Sequence, residues 1–144
     1  MAEPELPICG GCLCGAIRYE ISRVPAATAV CHCRDCQRTT GSAFAPVFSV
    51  GERSFRLVSG EPRIYELAAD SGRRVRRFFC GDCGSPLFGR PDAMPRAVNV
   101  LAGTLDEPDW FRPQMALFCG SAWPWVSIPD APRVLPGMPD QVPE

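Results

Sequence analysis

Nine cysteines set against a single histidine, His32, limit this chain more than any other feature. Seven of the nine fall into three clusters. These are Cys12-Leu13-Cys14, Cys31-His32-Cys33-Arg34-Asp35-Cys36 and Cys80-Gly81-Asp82-Cys83, with Cys9 and Cys119 outside them. An odd number of thiols leaves one over from any complete disulfide framework. The start, Met1-Ala2-Glu3-Pro4-Glu5, is acidic and lacks the basic and apolar regions of a secretory signal. The expectation is therefore a cytoplasmic, reducing location, where clustered cysteines hold metal more often than they pair.

Spacing says how they would hold it. In an extended segment residues i and i+2 project to one face. Cys12 with Cys14, and Cys31 with Cys33, can each offer two sulfurs to one ion. A C-x-x-C turn does the same around a tight loop, and Gly81 and Gly84 fit the positive φ such a loop uses. Zinc takes four tetrahedral ligands in a structural role and suits thiolates. Cys12, Cys14, Cys80 and Cys83 complete one such site across 66 residues of sequence. The middle cluster is left with Cys31, Cys33 and Cys36. Three protein ligands leave a fourth position open, as in a catalytic zinc. The plainer alternative is two structural zincs, the second completed by His32, Cys9, Cys119 or Asp35. His32 alternates with Cys31 and Cys33, so it should point away from their shared ion. The spacings do not match the usual iron–sulfur runs.

The remaining composition narrows the function further. All 15 basic side chains are arginine, which excludes lysine Schiff-base chemistry. One histidine makes a Ser-His-Asp triad or a histidine-rich metal site hard to build. The formal charge is -1, and seven thiolates with two zinc ions would take it to -4. That argues against electrostatic binding to nucleic acid. No apolar run approaches the roughly 20 residues of a bilayer span, so no membrane partner is expected.

Alternation dominates the chain. Ile17, Tyr19 and Ile21 oppose Arg18 and Glu20, and Phe55 and Leu57 flank Arg56. Ile64–Leu67, Ala97–Leu101 and Trp125–Ile128 read as strands, as does Ala43–Val50, where Pro46 suggests an edge or bulge. One short helix is expected over Arg34–Thr40, stopped by Gly41. Five prolines in Pro129–Glu144 suggest an extended surface tail with a disordered end. The fold class is mostly β: one domain over residues 1–144 built of short, coiled antiparallel sheets around a core at about 8–128, zinc-stabilised and with very little helix.

In this order, the clusters resemble the glutathione-dependent formaldehyde-activating enzyme family, which also includes centromere protein V. The resemblance rests on Gly10-Gly11-Cys12-Leu13-Cys14-Gly15-Ala16-Ile17-Arg18-Tyr19, Cys31-His32-Cys33-Arg34-Asp35-Cys36-Gln37-Arg38 with Gly41, and Phe79-Cys80-Gly81-Asp82-Cys83-Gly84. Gly103-Thr104-Leu105-Asp106 and Trp123-Pro124-Trp125 add weaker matches. The resemblance implies a β-tent-like fold. It implies a structural zinc on Cys12, Cys14, Cys80 and Cys83, and a second zinc on Cys31, Cys33 and Cys36. It implies carbon–sulfur lyase chemistry on the adduct of a glutathione-like thiol and an aldehyde. The type reaction is reversible condensation of glutathione with formaldehyde.

In such a reaction a substrate thiol would take the open position beside Cys31, Cys33 and Cys36, and a coordinating thiol is deprotonated outright. His32, Asp35 and water are the proton carriers within reach in sequence. Packing is the plainer role for His32. Arg73, Arg74, Arg76 and Arg77 form a basic run whose ordinary reading is a solvated strand face. Its functional reading is recognition of carboxylates on a peptide thiol. Phe118, Trp123 and Trp125 read as core or pocket wall, and Cys9 and Cys119 as small buried apolar residues. The competing class is a zinc-stabilised binding module, without catalysis, for protein or nucleic acid.

Overall fold

A computed structural model describes residues 3–68, 72–127 and 133–138. Among the described residues, eleven strands and one α-helix follow one another in the order β1 (Ile8–Gly11), β2 (Arg18–Ile21), β3 (Ala27–Cys31), α1 (Arg34–Thr40), β4 (Ala45–Gly51), β5 (Phe55–Ser59), β6 (Arg63–Ala68), β7 (Arg74–Phe79), β8 (Pro86–Pro91), β9 (Ala97–Leu101), β10 (Met115–Leu117) and β11 (Arg133–Val134). The expectation of a mostly-β chain with one short helix holds. The strands form a three-stranded sheet, β1-β2-β5, and an eight-stranded sheet, β11-β10-β3-β4-β9-β8-β7-β6. All pairings are antiparallel except those of β10, which runs parallel to both β3 and β11.

The alternating pattern in β2 works as expected. Ile17, Tyr19 and Ile21 are buried, while Arg18 and Glu20 keep partial access to solvent. They pack with Phe48, Val50, Phe88, Val98 and Val100 of the larger sheet. Phe55 joins the two layers, 5.4 Å from Tyr19 and 4.7 Å from Phe88 between ring centroids. The opposite face of the large sheet carries a second cluster built from Ala27, Ala29, Cys31, Cys36, Ala45, Met115 and Leu117. One sheet therefore serves two cores, and each core borders a different cysteine cluster.

Three local expectations change. β4 is an interior strand, not an edge, because β3 and β9 flank it. Pro46 is tolerated because it pairs with Val30 but lies beyond the β9 ladder, which starts at Val47↔Leu101. Trp125–Ser127 is not a strand: the Val126 amide donates to the Trp123 carbonyl at 3.0 Å, closing a turn through Pro124, and Ile128 lies outside the described residues. Trp125 is also not core, at 75% exposed. Most of the proline-rich tail, 129–132 and 139–144, is outside the described residues. Arg133–Val134 within it pairs with β10.

Candidate metal centres

The first centre is made by two turns on different sheets. After β1 the chain bends at Cys12–Gly15, where the Gly15 amide donates to the Cys12 carbonyl at 3.1 Å and Gly15 takes φ +81°. After β7 it bends again at Cys80–Gly84, closed by the Gly84 amide on the Cys80 carbonyl at 2.9 Å. Gly84 has the positive φ, +79°, that such a turn demands. Gly81 does not, contrary to expectation. Its constraint is room, since a Cβ there would sit 2.7 Å from Arg63 Cδ.

The sulfurs of Cys12, Cys14, Cys80 and Cys83 all lie within 4.8 Å of one another. Cys12 to Cys14 measures 3.6 Å and Cys14 to Cys80 3.8 Å. Tetrahedral zinc with bonds of about 2.3 Å would place its sulfurs roughly 3.8 Å apart. The backbone supports thiolates here, with the Ile17 amide donating to Cys12 Sγ at 3.2 Å. Ser85 ties the two turns together. Its hydroxyl accepts from the Leu13 amide at 3.0 Å and lies 3.2 Å from Cys83 Sγ. Hydrogen bonds from the Ser85 hydroxyl and amide bring the Cys83 thiol down to about 5. Cys12 is lowered too, the Ile17 amide and Cys14 outweighing burial, which opposes its charge. Cys14 is pushed up to about 12 by its neighbouring sulfurs, despite the Ala16 amide. Four sulfurs this close ionise together only around a cation.

The second centre sits where β3 passes into α1. Cys31 ends the strand, Cys33 caps the helix and Cys36 lies in its first turn. The Cys36 amide donates to Cys33 Sγ at 3.3 Å, so one thiol is both cap and candidate ligand. Gly41 stops the helix in the left-handed region, φ +62°, as the sequence suggests. The three sulfurs lie within 4.8 Å of one another. Among the described residues no further His, Cys, Asp or Glu donor joins that group. Cys31 and Cys36 are buried, and Cys33 keeps partial access to solvent. Hydrogen bonds from Cys31 and Cys36 hold the Cys33 thiol down at about 2, with help from the nearby Arg77 charge. Cys31 is pushed up and Cys36 rises to about 11, so this triplet also calls for a cation.

The other named residues fall as follows. His32 is fully buried, with neither ring nitrogen hydrogen-bonded, and its ring lies 5.4 Å from that of Phe44. Burial lowers its pKa and keeps it neutral. Asp35 is exposed. Cys9 and Cys119 join neither group and are half-buried, bonding weakly to the Pro7 and Ala116 carbonyls. Gln37 is the residue whose importance spacing did not reveal. It is 3% exposed and fully engaged. Its Nε2 donates to the His32 carbonyl at 2.8 Å and the Ser121 carbonyl at 3.1 Å. Its Oε1 accepts from Trp123 Nε1 at 3.1 Å and from Arg34. Gln37 thus pins the triplet loop to the segment around Trp123. The signal available was its place one residue after the last cysteine, but its partners 84 and 86 residues away are not readable locally.

Two sulfur centres in this order and this geometry agree with a family match over residues 7–121, whose description is glutathione-dependent formaldehyde-activating enzyme. The chain belongs to that family. A Halomonas elongata protein provisionally named as a glutathione-dependent formaldehyde-activating enzyme is 29% identical over 140 residues, covering 92% of this chain and 88% of its own length. A Penicillium rubens protein with the same provisional name is 31% identical over 116 residues, 76% of this chain and 59% of that protein. The chain thus spans little more than half of that fungal relative. A structural-genomics crystal structure of a Rhodobacter sphaeroides protein matches with a TM-score of 0.57 at 22% identity, over 69% of this chain and 88% of that one. It shows a shared fold. The cysteine groups are consistent with zinc in a protein of this family. Among the described residues no helix is long and apolar enough to cross a membrane.

Proposed function

We propose that this chain is a carbon–sulfur lyase of the glutathione-dependent formaldehyde-activating type, making and breaking the adduct of a thiol and an aldehyde. The observation that carries the reading is the triplet Cys31, Cys33 and Cys36: three convergent sulfurs joined by no fourth protein donor among the described residues. A zinc held by these three thiolates would supply a Lewis-acidic fourth position that favours a bound thiol as thiolate. Cys12, Cys14, Cys80 and Cys83 would hold a second, structural zinc.

The chain's own residues divide the work. Cys33, the most accessible of the three, marks the side from which substrate approaches. The Cys36 amide and the start of α1 fix the Cys33 sulfur, and Gln37 fixes the loop that carries all three. In the condensing direction the substrate sulfur loses its proton, a carbon–sulfur bond forms at the aldehyde carbon, and the carbonyl oxygen gains a proton. His32 packs against Phe44 with no polar partner, so the reading gives this proton traffic to water on the open Cys33 side and leaves His32 in the interior. The partners are a thiol such as glutathione and an aldehyde such as formaldehyde, in a reducing, cytoplasmic setting that keeps the seven thiols free.

The test combines metal content with a spectroscopic probe. Two zinc ions per chain are expected, and cobalt placed at the triplet should change its visible spectrum when glutathione is added. Cys33→Ser should abolish lyase turnover and keep the zinc of the four-cysteine centre. A cobalt spectrum indifferent to thiols, with no turnover, would replace this reading with that of a zinc-stabilised binding module, and full turnover in Cys33→Ser would take the chemistry away from the triplet.

A further inference from the structure

Three arginines far apart in the sequence, Arg23, Arg53 and Arg96, line one open cavity of about 700 Å³. That volume is in the range of small-molecule sites. Backbone hydrogen bonds hold its walls together. The Ser22 amide donates to the Ser54 carbonyl at 2.9 Å, and the Glu52 amide to the Arg96 carbonyl at 2.8 Å. These bonds tie the turn after β2, the turn before β5 and the entry to β9 into one rim. Gly51, also on the wall, keeps the space open, since a Cβ there would meet nothing within 4 Å. The cavity lies away from both sulfur centres. Ala45, at the other end of β4, pairs with Cys31, and six residues of strand place Gly51 roughly 20 Å farther on. Gly11, next to Cys12, pairs with Arg18, whereas Ser22 follows the opposite end of β2.

The charge on this wall is unbalanced. Arg18, Arg56, Arg74 and Arg90 each meet a carboxylate. Among the described residues Arg23, Arg53 and Arg96 have neither an ion pair nor a side-chain hydrogen bond. Glu52 is the one carboxylate on the wall, and Arg90 engages it. Three uncompensated guanidinium groups therefore line one hollow in a chain whose formal charge is -1. A concave wall of one sign focuses its field and draws counter-ions. Each guanidinium is a planar fork of donors that fits a phosphate bidentately. One phosphate group carries about -1.5 to -2 charge at pH 7, too little for three arginines, whereas a diphosphate roughly balances them. The hydroxyls of Ser22 and Ser54 belong to the same wall and add neutral donors.

We infer that this cavity binds the diphosphate group of a small organic molecule through Arg23, Arg53 and Arg96, at a site separate from both sulfur centres. The inference does not depend on the lyase reading of the triplet. A small ligand suits the place better than a nucleic acid, because a long polyanion gains from basic surface along its length and this chain is acidic overall.

The experiment titrates the metal-loaded full chain with inorganic pyrophosphate in a calorimeter, and measures metal content before and after. Inorganic phosphate and tricarballylate, a small tricarboxylate, are the comparators. The unaltered protein is expected to bind pyrophosphate about tenfold or more tightly than either comparator, the size of one further charged contact. Arg23→Gln, Arg53→Gln and Arg96→Gln should each weaken pyrophosphate about tenfold at an unchanged melting temperature. Gly51→Leu, which fills the cavity and removes no charge, should weaken it as much. Arg38→Gln, which removes the same charge from α1, should not change it. Several results would overturn the inference. One is no binding at about 5 mM pyrophosphate, and another is equal affinity for tricarballylate, the mark of a general anion patch. Unchanged binding in Gly51→Leu would place the anion outside the cavity. Binding that removes metal and ignores the arginine variants would be chelation. Tighter binding of a single-stranded RNA oligomer, lost in the same variants, would assign the arginines to nucleic acid instead.

Discussion

The sulfurs of Cys14 and Cys80 stand 3.8 Å apart although 66 residues separate them in the chain. Cys14 follows β1 of the small sheet and Cys80 follows β7 of the large one. The four-cysteine centre is thus a staple between the two layers, at the border of the core they share. Cys12 and Cys80 are counted in that core, and Cys83 packs against it.

Removing the staple should therefore unfold more than a loop. Cys80→Ser is expected to lower the zinc content by one per chain and the unfolding free energy by at least about 3 kcal/mol, a fraction of the roughly 10–16 kcal/mol of a structural zinc site. Exhaustive chelation should lower the melting temperature sharply, and added zinc should restore it. Denaturation curves read beside metal analysis check this. A chelated protein with an unchanged melting temperature would contradict it.

Gln37 holds the other centre from outside. Gln37→Leu leaves the buried His32 carbonyl, and the less buried Ser121 carbonyl and Trp123 indole N–H, without their partner, at a cost of about 1–3 kcal/mol. It should also weaken metal binding at the triplet by about 10–100-fold, the usual effect of losing a group that orients ligands. Competition with a chromophoric chelator measures the second effect, and the four-cysteine centre serves as an internal control.

Arg18 and Asp106 fasten β2 to the loop after β9. Arg18 Nη1 donates to Asp106 Oδ1 at 2.9 Å, with a second contact between Nη2 and Oδ2. Hydrogen bonding from Arg18 holds the Asp106 carboxyl below its ordinary value. A depressed folded pKa means the pair stabilises fully above the unfolded carboxyl value of about 3.9, and that contribution disappears as pH falls through the folded value. With side chains 37% and 45% exposed, solvent screens the pair to under about 1 kcal/mol. Asp106→Asn should lose that amount at pH 7 in urea unfolding, and the difference from the unaltered protein should shrink in acid.

Gly10 is required by crowding. A Cβ there would lie 2.5 Å from the Thr104 carbonyl oxygen and would overlap the Tyr19 hydroxyl, which itself bonds Thr104 Oγ1 at 2.7 Å. Gly10→Ala should cost about 1–3 kcal/mol by overpacking. Thermal melts test this. Gly51→Ala, which meets nothing within 4 Å, should change stability far less.

Much of the local structure was legible because it depends on near neighbours. A period of two showed which of Ile17–Ile21 face inward. A glycine after a seven-residue run showed where α1 ends. The same period misled at Trp125, because alternation records which residues could share a face and not whether any layer covers that face. Nothing in the short run Met115–Leu117 indicated a parallel strand between β3 and β11, since parallel partners arrive through distant crossovers. Gln37 and Ser85 were silent for a related reason: their worth lies in partners supplied by other loops.

The sequence by itself determined the sulfur inventory, its grouping into a complete set and an incomplete one, and the alternating faces of the strands. Sulfur chemistry and backbone periodicity act over a few residues and can be read there. Tertiary structure decided which strands adjoin and that the two sulfur groups border separate cores. Those outcomes depend on how the whole set of apolar faces is buried at once, a constraint that no short stretch of chain contains.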